Sequence, residues 1–183
     1  MPSKNKRAKP SRTSAFCAAR AADIRQLHSL YSTLPSPFFV DISGPTPGLS
    51  LPAFTTYCKN EAALYVQHSA LGTQHSALSV RAFFLLCYIQ PELEMANLDF
   101  AFFDDNWQDN PADRSAFSAA LKQAFFRKGI SRVQVLLLTA QTAKIAFVEA
   151  LGFKREGVLR EHFYHDGKYR DLFVYAFAEQ RKA

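Results

Sequence analysis

The sequence predicts a mixed α/β fold of the α+β kind, a sheet with helices packed against it. Three observations carry that expectation. Phe117, Ala120, Leu121, Ala124, Phe125 and Lys128 recur at helical spacing. Val133 to Thr139 follows as an apolar run of strand length, the pattern of a strand covered on both faces. Two strand-like segments, 154–165 and 168–177, flank His165-Asp166-Gly167-Lys168, and Asp-Gly is a strong turn signal between strands. Helix and strand segments alternating along one chain bury their apolar faces by layering helix on sheet.

Taken in order, residues 1–12 read as a disordered basic leader and 13–183 as a single domain. Ser14 to Ala19 is a short strand candidate. Ala21 to Leu34 is helical, with Ile24, Leu27, Leu30, Tyr31 and Leu34 at spacings of three and four. Pro35-Ser36-Pro37 stops it, because proline disfavours helix in the residue before it. Residues 35–53 hold five of the nine prolines and read as a loop that either walls a pocket or wraps the core. Ala62 to His68 and Val80 to Ile89 form a hairpin. Between them Gln67-His68-Ser69-Ala70-Leu71 is repeated as Gln74-His75-Ser76-Ala77-Leu78. That repeat is too short for a solenoid, lacks a third metal ligand, and reads as a tolerated loop expansion. Asn97 to Phe103 is the next strand and 104–110 a loop. A helix then runs from Pro111 to a stop at Gly129, and a second from Thr142 to Leu151, closed by Gly152.

Composition excludes several function classes. Hydrophobic residues make up 48% of the 183, with 17 Phe, which is ample for a packed core. The formal charge is +6, yet Lys4, Lys6, Arg7, Lys9 and Arg12 supply +5 of it. Without that leader the chain is close to neutral, so nucleic acid is not an expected partner of the domain. Cys17, Cys58 and Cys87 are widely spaced and odd in number, which argues against a disulfide framework or a metal site. Buried free thiols in a cytoplasmic protein are the plain reading. No apolar run reaches the roughly 18 residues of a membrane span.

Residues Ala150 to Glu161, reading Ala-Leu-Gly-Phe-Lys-Arg-Glu-Gly-Val-Leu-Arg-Glu, are followed by Tyr164, Asp166-Gly167-Lys168 and Arg170-Asp171. This stretch resembles the C-terminal end of GNAT acyltransferases, nearest the subgroup like ribosomal-protein N-terminal acetyltransferases. Ala124-Phe125, Gly129-Ile130 and Arg132-Val133 fit the same pattern. The resemblance implies a GNAT-type mixed, mostly antiparallel central sheet flanked by helices. It implies acetyl transfer from acetyl-CoA to an amine held where two central strands splay apart. The acceptor would be a protein N-terminus or a small molecule, and a homodimer is an open assembly state. Such an enzyme positions two substrates, accepts a proton and stabilises an oxyanion. On this resemblance Phe102 and Phe103 would pair with pantetheine. Gln108, Ala112, Asp113, Arg114 and Ser115 would surround the CoA pyrophosphate, helped by Gln141 and Lys144. Asp99 and Tyr164 are the candidate catalytic residues.

The chain also departs from that family. Its pyrophosphate turn would be Gln108-Asp109-Asn110-Pro111-Ala112-Asp113, with both expected glycines replaced. Pro111 has no N–H to offer. Asp113 beside a phosphate would cost about 1–4 kcal/mol at ~4 Å. Asn-Pro-x-Asp instead reads as a self-capped helix start with an acid at the positive dipole end. Val148 stands where many members carry a tyrosine acid, and Asn97 where the subgroup often carries a strand acid; Asp99 is the nearest carboxylate on that strand face. A catalytically degenerate GNAT-fold protein that binds a ligand or partner is the rival reading.

Overall fold

The computed structural model describes residues 15–31, 50–60, 62–68, 80–103, 109–165 and 167–178. The basic leader, most of the proline-rich segment, the second copy of the repeat, Gln108 and Asp166 lie outside the described residues. Strands β1 (Cys17–Ala18), β2 (Ala62–His68), β3 (Val80–Gln90), β4 (Met95–Phe102), β5 (Arg132–Leu138), β6 (Lys154–His165) and β7 (Lys168–Ala178) alternate with four helices. These are α1 (Ala21–Tyr31), α2 (Leu51–Asn60), α3 (Pro111–Lys128) and α4 (Thr142–Ala150).

Among the described residues the strands form one seven-stranded sheet in the order β1-β2-β3-β4-β5-β7-β6. Only the β4–β5 pair is parallel, so the sheet is mixed and mostly antiparallel, as the sequence predicts. That parallel pair is also short. It joins Met95, Ala96 and Asn97 to Arg132, Val133 and Gln134, and stops there. Beyond it β4 continues against β3 as far as Phe102, and β5 continues against β7 as far as Leu138. The two central strands therefore part, and a wedge opens between their C-terminal halves.

Side-chain alternation along β4 assigns the two faces. Ala96, Leu98 and Phe100 join the larger core with Phe117, Leu121 and Phe125 of α3 and Phe147 and Val148 of α4. Phe117 is fully buried, with ring centroids 5.0 Å from Phe84, 5.2 Å from Phe147 and 5.8 Å from Phe100. On the other face Ala101 packs with Leu85, Ile24 and Leu27 of α1, and Phe54 and Cys58 of α2.

Two expectations needed correction here. The proline-rich loop expected over 35–53 gives way to α2 at Leu51. Ser50 supplies the start: its carbonyl accepts from Phe54 N at 2.9 Å and its hydroxyl faces Ala53 N at 3.5 Å. Pro52 then falls in the first turn, where a missing N–H costs nothing. Of the three cysteines expected to be buried, Cys58 and Cys87 are, but Cys17 on the short β1 is exposed; all three are free thiols.

Candidate active site

Several chemically active groups of the sequence border the wedge between β4 and β5. The Phe100 carbonyl faces into it and accepts a 2.8 Å hydrogen bond from Lys144 Nζ, which reaches across from the first turn of α4. The same ammonium lies 5.0 Å from the centre of the Phe100 ring. Burial pushes the Lys144 amine down from the ordinary lysine range to about 8, while the negative charge of Asp99 pulls the other way.

Asp99 is one residue back on β4 and points to the opposite face. Its cross-strand partner is Leu85, and it is only 5% exposed. Tyr57 of α2 comes to the same neighbourhood. Its hydroxyl is pushed up chiefly by burial, then by Cys87, Asp99 and Tyr88. Tyr88 sits where the β3–β4 register shifts and adopts a positive φ of 46°, a strained geometry for a bulky residue. A buried carboxylate and a phenol on one face of β4, and a lysine amine on the other, thus flank the place where the sheet parts. Asp99 and Lys144 were expected from the sequence; Tyr57 was not, because it falls between the loop expected over 35–53 and the strand from Ala62, where no element was expected.

The start of α3 is organised from inside. Asn110 caps the helix: its Oδ1 accepts from Ala112 N at 3.0 Å, and its own carbonyl accepts from Arg114 N at 3.1 Å. The Asp113 carboxylate is fully buried. It accepts from Gln67 Nε2 and Asn110 Nδ2, each at 2.9 Å, and lies 3.5 Å from the Arg81 guanidinium. So Asp113 turns away from the helix mouth, and the Ala112 N–H is already bonded. Arg114 and the exposed Ser115 remain on the outside. Arg114 lines a cleft of about 100 Å³ with Asp109, Ala143, Ala146 and Phe147, running between the start of α3 and α4.

The other expected positions distribute as follows. Phe102 packs on Phe100 and Phe147. Phe103 N donates to Arg81 O at 2.7 Å, which ties it to β3. Gln141 precedes α4, and its Oε1 accepts from Leu138 N at 2.9 Å, pinning the end of β5 to the helix. Val148 is buried in the core. Tyr164 is 62% exposed and stacks edge-on with Tyr169 at 5.1 Å. The last β5–β7 pair is Leu138 with Leu172, so these tyrosines project past the end of β5 at which the wedge opens. The first two residues of the first copy of the repeat are structural as well. Gln67 holds Asp113, and His68 Nε2 lies 2.8 Å from Asp23 Oδ1.

Known proteins share this architecture. A spermidine N-acetyltransferase from Vibrio cholerae, solved with CoA and spermine, superposes with a TM-score of 0.70, covering 91% of this chain and 96% of its own at 17% identity. The dodecameric form from the same organism gives a TM-score of 0.71 at 17% identity, over 91% of this chain and 94% of that one. The chain has the GNAT fold. In sequence, this GNAT-fold chain is 26% identical over 87 residues to an uncharacterized N-acetyltransferase, YoaA, of Bacillus subtilis (strain 168). The match spans 48% of this chain and 49% of that relative, about half the length of each. No family model matches.

Whether acetyl-CoA suits this particular GNAT fold is answered by halves. After Asn97 β4 is no longer laddered to β5, which leaves room for pantetheine beside the strand, and Arg114 offers a charge beside the cleft along α4. The helix start that would cradle the pyrophosphate is already capped by Asn110. The residues fit the ligand on the condition that its phosphates would be held by side-chain charge more than by backbone N–H groups.

Proposed function

We propose that this chain is an N-acetyltransferase that moves acetyl from acetyl-CoA to a primary amine by direct attack of the amine on the thioester. The observation that carries the reading is the parting of β4 and β5 after Asn97 and Gln134, with Asp99 beside it. In this reading Asp99 accepts the proton of the attacking ammonium, through water, and Tyr57 and Tyr164 border the acceptor. Phe102, Arg114, Ser115 and Gln141, with Gln108 before the helix, hold CoA, and Lys144 sits at the pantetheine lane. Asp113 supports this set from within the fold, by fixing the helix that presents Arg114. A small alkylamine is favoured over a protein N-terminus, since a carboxylate 5% exposed admits only a slim chain. Relatives in fold that act on spermidine support that choice.

A second reading keeps the fold and drops the chemistry. The self-capped α3 start and the buried Val148 favour a GNAT-fold protein that binds a ligand without transfer. One assay separates them: thiol release from acetyl-CoA in the presence of spermidine, short alkylamines or peptide N-termini. Amine-dependent release supports the enzyme. Saturable acetyl-CoA binding with no release to any amine supports the second reading. We also infer self-association into at least a homodimer. The exposed Val158, Tyr164 and Tyr169 on the β6–β7 hairpin support it, and a sedimentation mass of a single 20.6 kDa chain would contradict it.

A further inference from the structure

Lys144 holds a place that no ordinary acceptor needs. Its Nζ is inside the wedge, bonded to the Phe100 carbonyl at 2.8 Å. That carbonyl belongs to the β4 edge along which pantetheine would lie, so a thioester bound there would lie beside this amine. The lysine's own four-carbon stem can turn Nζ away from Phe100. Asp99 is close enough to act on the ammonium electrostatically.

We propose that Lys144 is a self-acetylation site, its Nζ taking the acetyl group when acetyl-CoA enters the β4–β5 wedge. The step balances simply. The neutral Nζ attacks the thioester carbonyl, an N–C bond forms and the C–S bond breaks. CoA leaves as the thiolate and takes up the proton the nitrogen loses, and no other reactant is needed. Confinement beside the thioester is worth a large effective concentration. The lowered amine adds to it: with a value of about 8, roughly a tenth of Lys144 is neutral near pH 7, against less than roughly one part in a thousand for an ordinary lysine. The product amide keeps an N–H for Phe100 but loses the charge on which Asp99 acts electrostatically. This inference rests on the acetyl-CoA reading above and goes beyond it.

The test incubates the whole chain with acetyl-CoA and follows lysine acetylation by peptide mass spectrometry, with acetyl-CoA binding measured separately by calorimetry. The exposed Lys154 and Lys168 serve as internal references. The expected result is acetylation of Lys144 at least roughly tenfold faster than of either reference, saturating with acetyl-CoA, as confinement requires. The preference should vanish when acetyl phosphate, which lacks pantetheine, is the donor, and the modified peptide should be absent from Lys144→Arg. Saturable binding without preferential acetylation of Lys144 overturns this inference and leaves the acetyl-CoA reading standing. Equal labelling of all three lysines overturns it as well. Absence of acetyl-CoA binding overturns both.

Discussion

Replacing Asp113 by alanine should destabilise the fold without any ligand present. Asp113 is fully buried and binds three side chains from three parts of the chain: Gln67 on β2, Arg81 on β3 and Asn110 at the helix cap. Truncation takes the Asp113 acceptor away from the fully buried Gln67 amide, which costs about 1–3 kcal/mol. Losing an acid from the first turn of α3 adds about 0.3–1 kcal/mol. The Arg81 side chain is 22% exposed, so water recovers part of its lost pairing and that contribution stays small. The sum is roughly 1–4 kcal/mol, which for a chain of this size lowers Tm by roughly 3–15 °C. Asp113→Asn should fall between wild type and alanine. It can still accept from Gln67, but it sets an amide donor against Asn110 Nδ2. Thermal unfolding followed by circular dichroism reads all three. A change in Asp113→Ala within roughly 0.5 kcal/mol, the range of ordinary surface substitutions, would refute the internal role. Acetyl-CoA binding strengthened by the same variant, with Tm unmoved, would show that the carboxylate faces the phosphate.

Three further outcomes are expected. Asp99→Asn should lower kcat by roughly 10²–10⁴ as a lost proton acceptor, with acetyl-CoA affinity kept; steady-state thiol release checks it. Arg114→Ala should weaken acetyl-CoA binding by roughly tenfold, about 1.4 kcal/mol, and flatten its salt dependence in calorimetric titrations. Asp23 should give an acid-side signature. Burial raises its pKa, but the Arg20 N–H at 2.8 Å and His68 outweigh this, so the folded value lies below the unfolded one. Its stabilisation is therefore present above the ordinary aspartate range and lost as pH falls through the folded value. Asp23→Asn should remove that part of the acid dependence in denaturant titrations.

The legible parts of this fold were those written in local pattern. The α3 stripe from Phe117 to Phe125, its Asn110 cap and its Gly129 stop all appear as expected, with Gly129 at φ 64°. The β6–β7 hairpin follows from Asp166-Gly167, and Asp171 adds a detail the motif alone hides: its Oδ1 accepts from Glu161 N, holding a residue at φ 48° in the bulge of β6. Helix α2 escaped because Thr55, Thr56 and Tyr57 dilute its periodicity and prolines crowd the segment before it. The site was half legible. Local reasoning identified the self-capped turn, but the inward aim of Asp113 depends on Gln67, 46 residues away. The encounter of Lys144 with Phe100 spans 44 residues and depends on where two strands part, which no spacing rule encodes.

The central claim is that the β4–β5 wedge receives acetyl-CoA although the α3 start is closed by its own cap. Calorimetric titration of acetyl-CoA into the purified chain tests it most directly. The account predicts one saturable site per chain that free CoA displaces. Titration to high acetyl-CoA concentration with no saturable heat, and no competition by CoA, would contradict it.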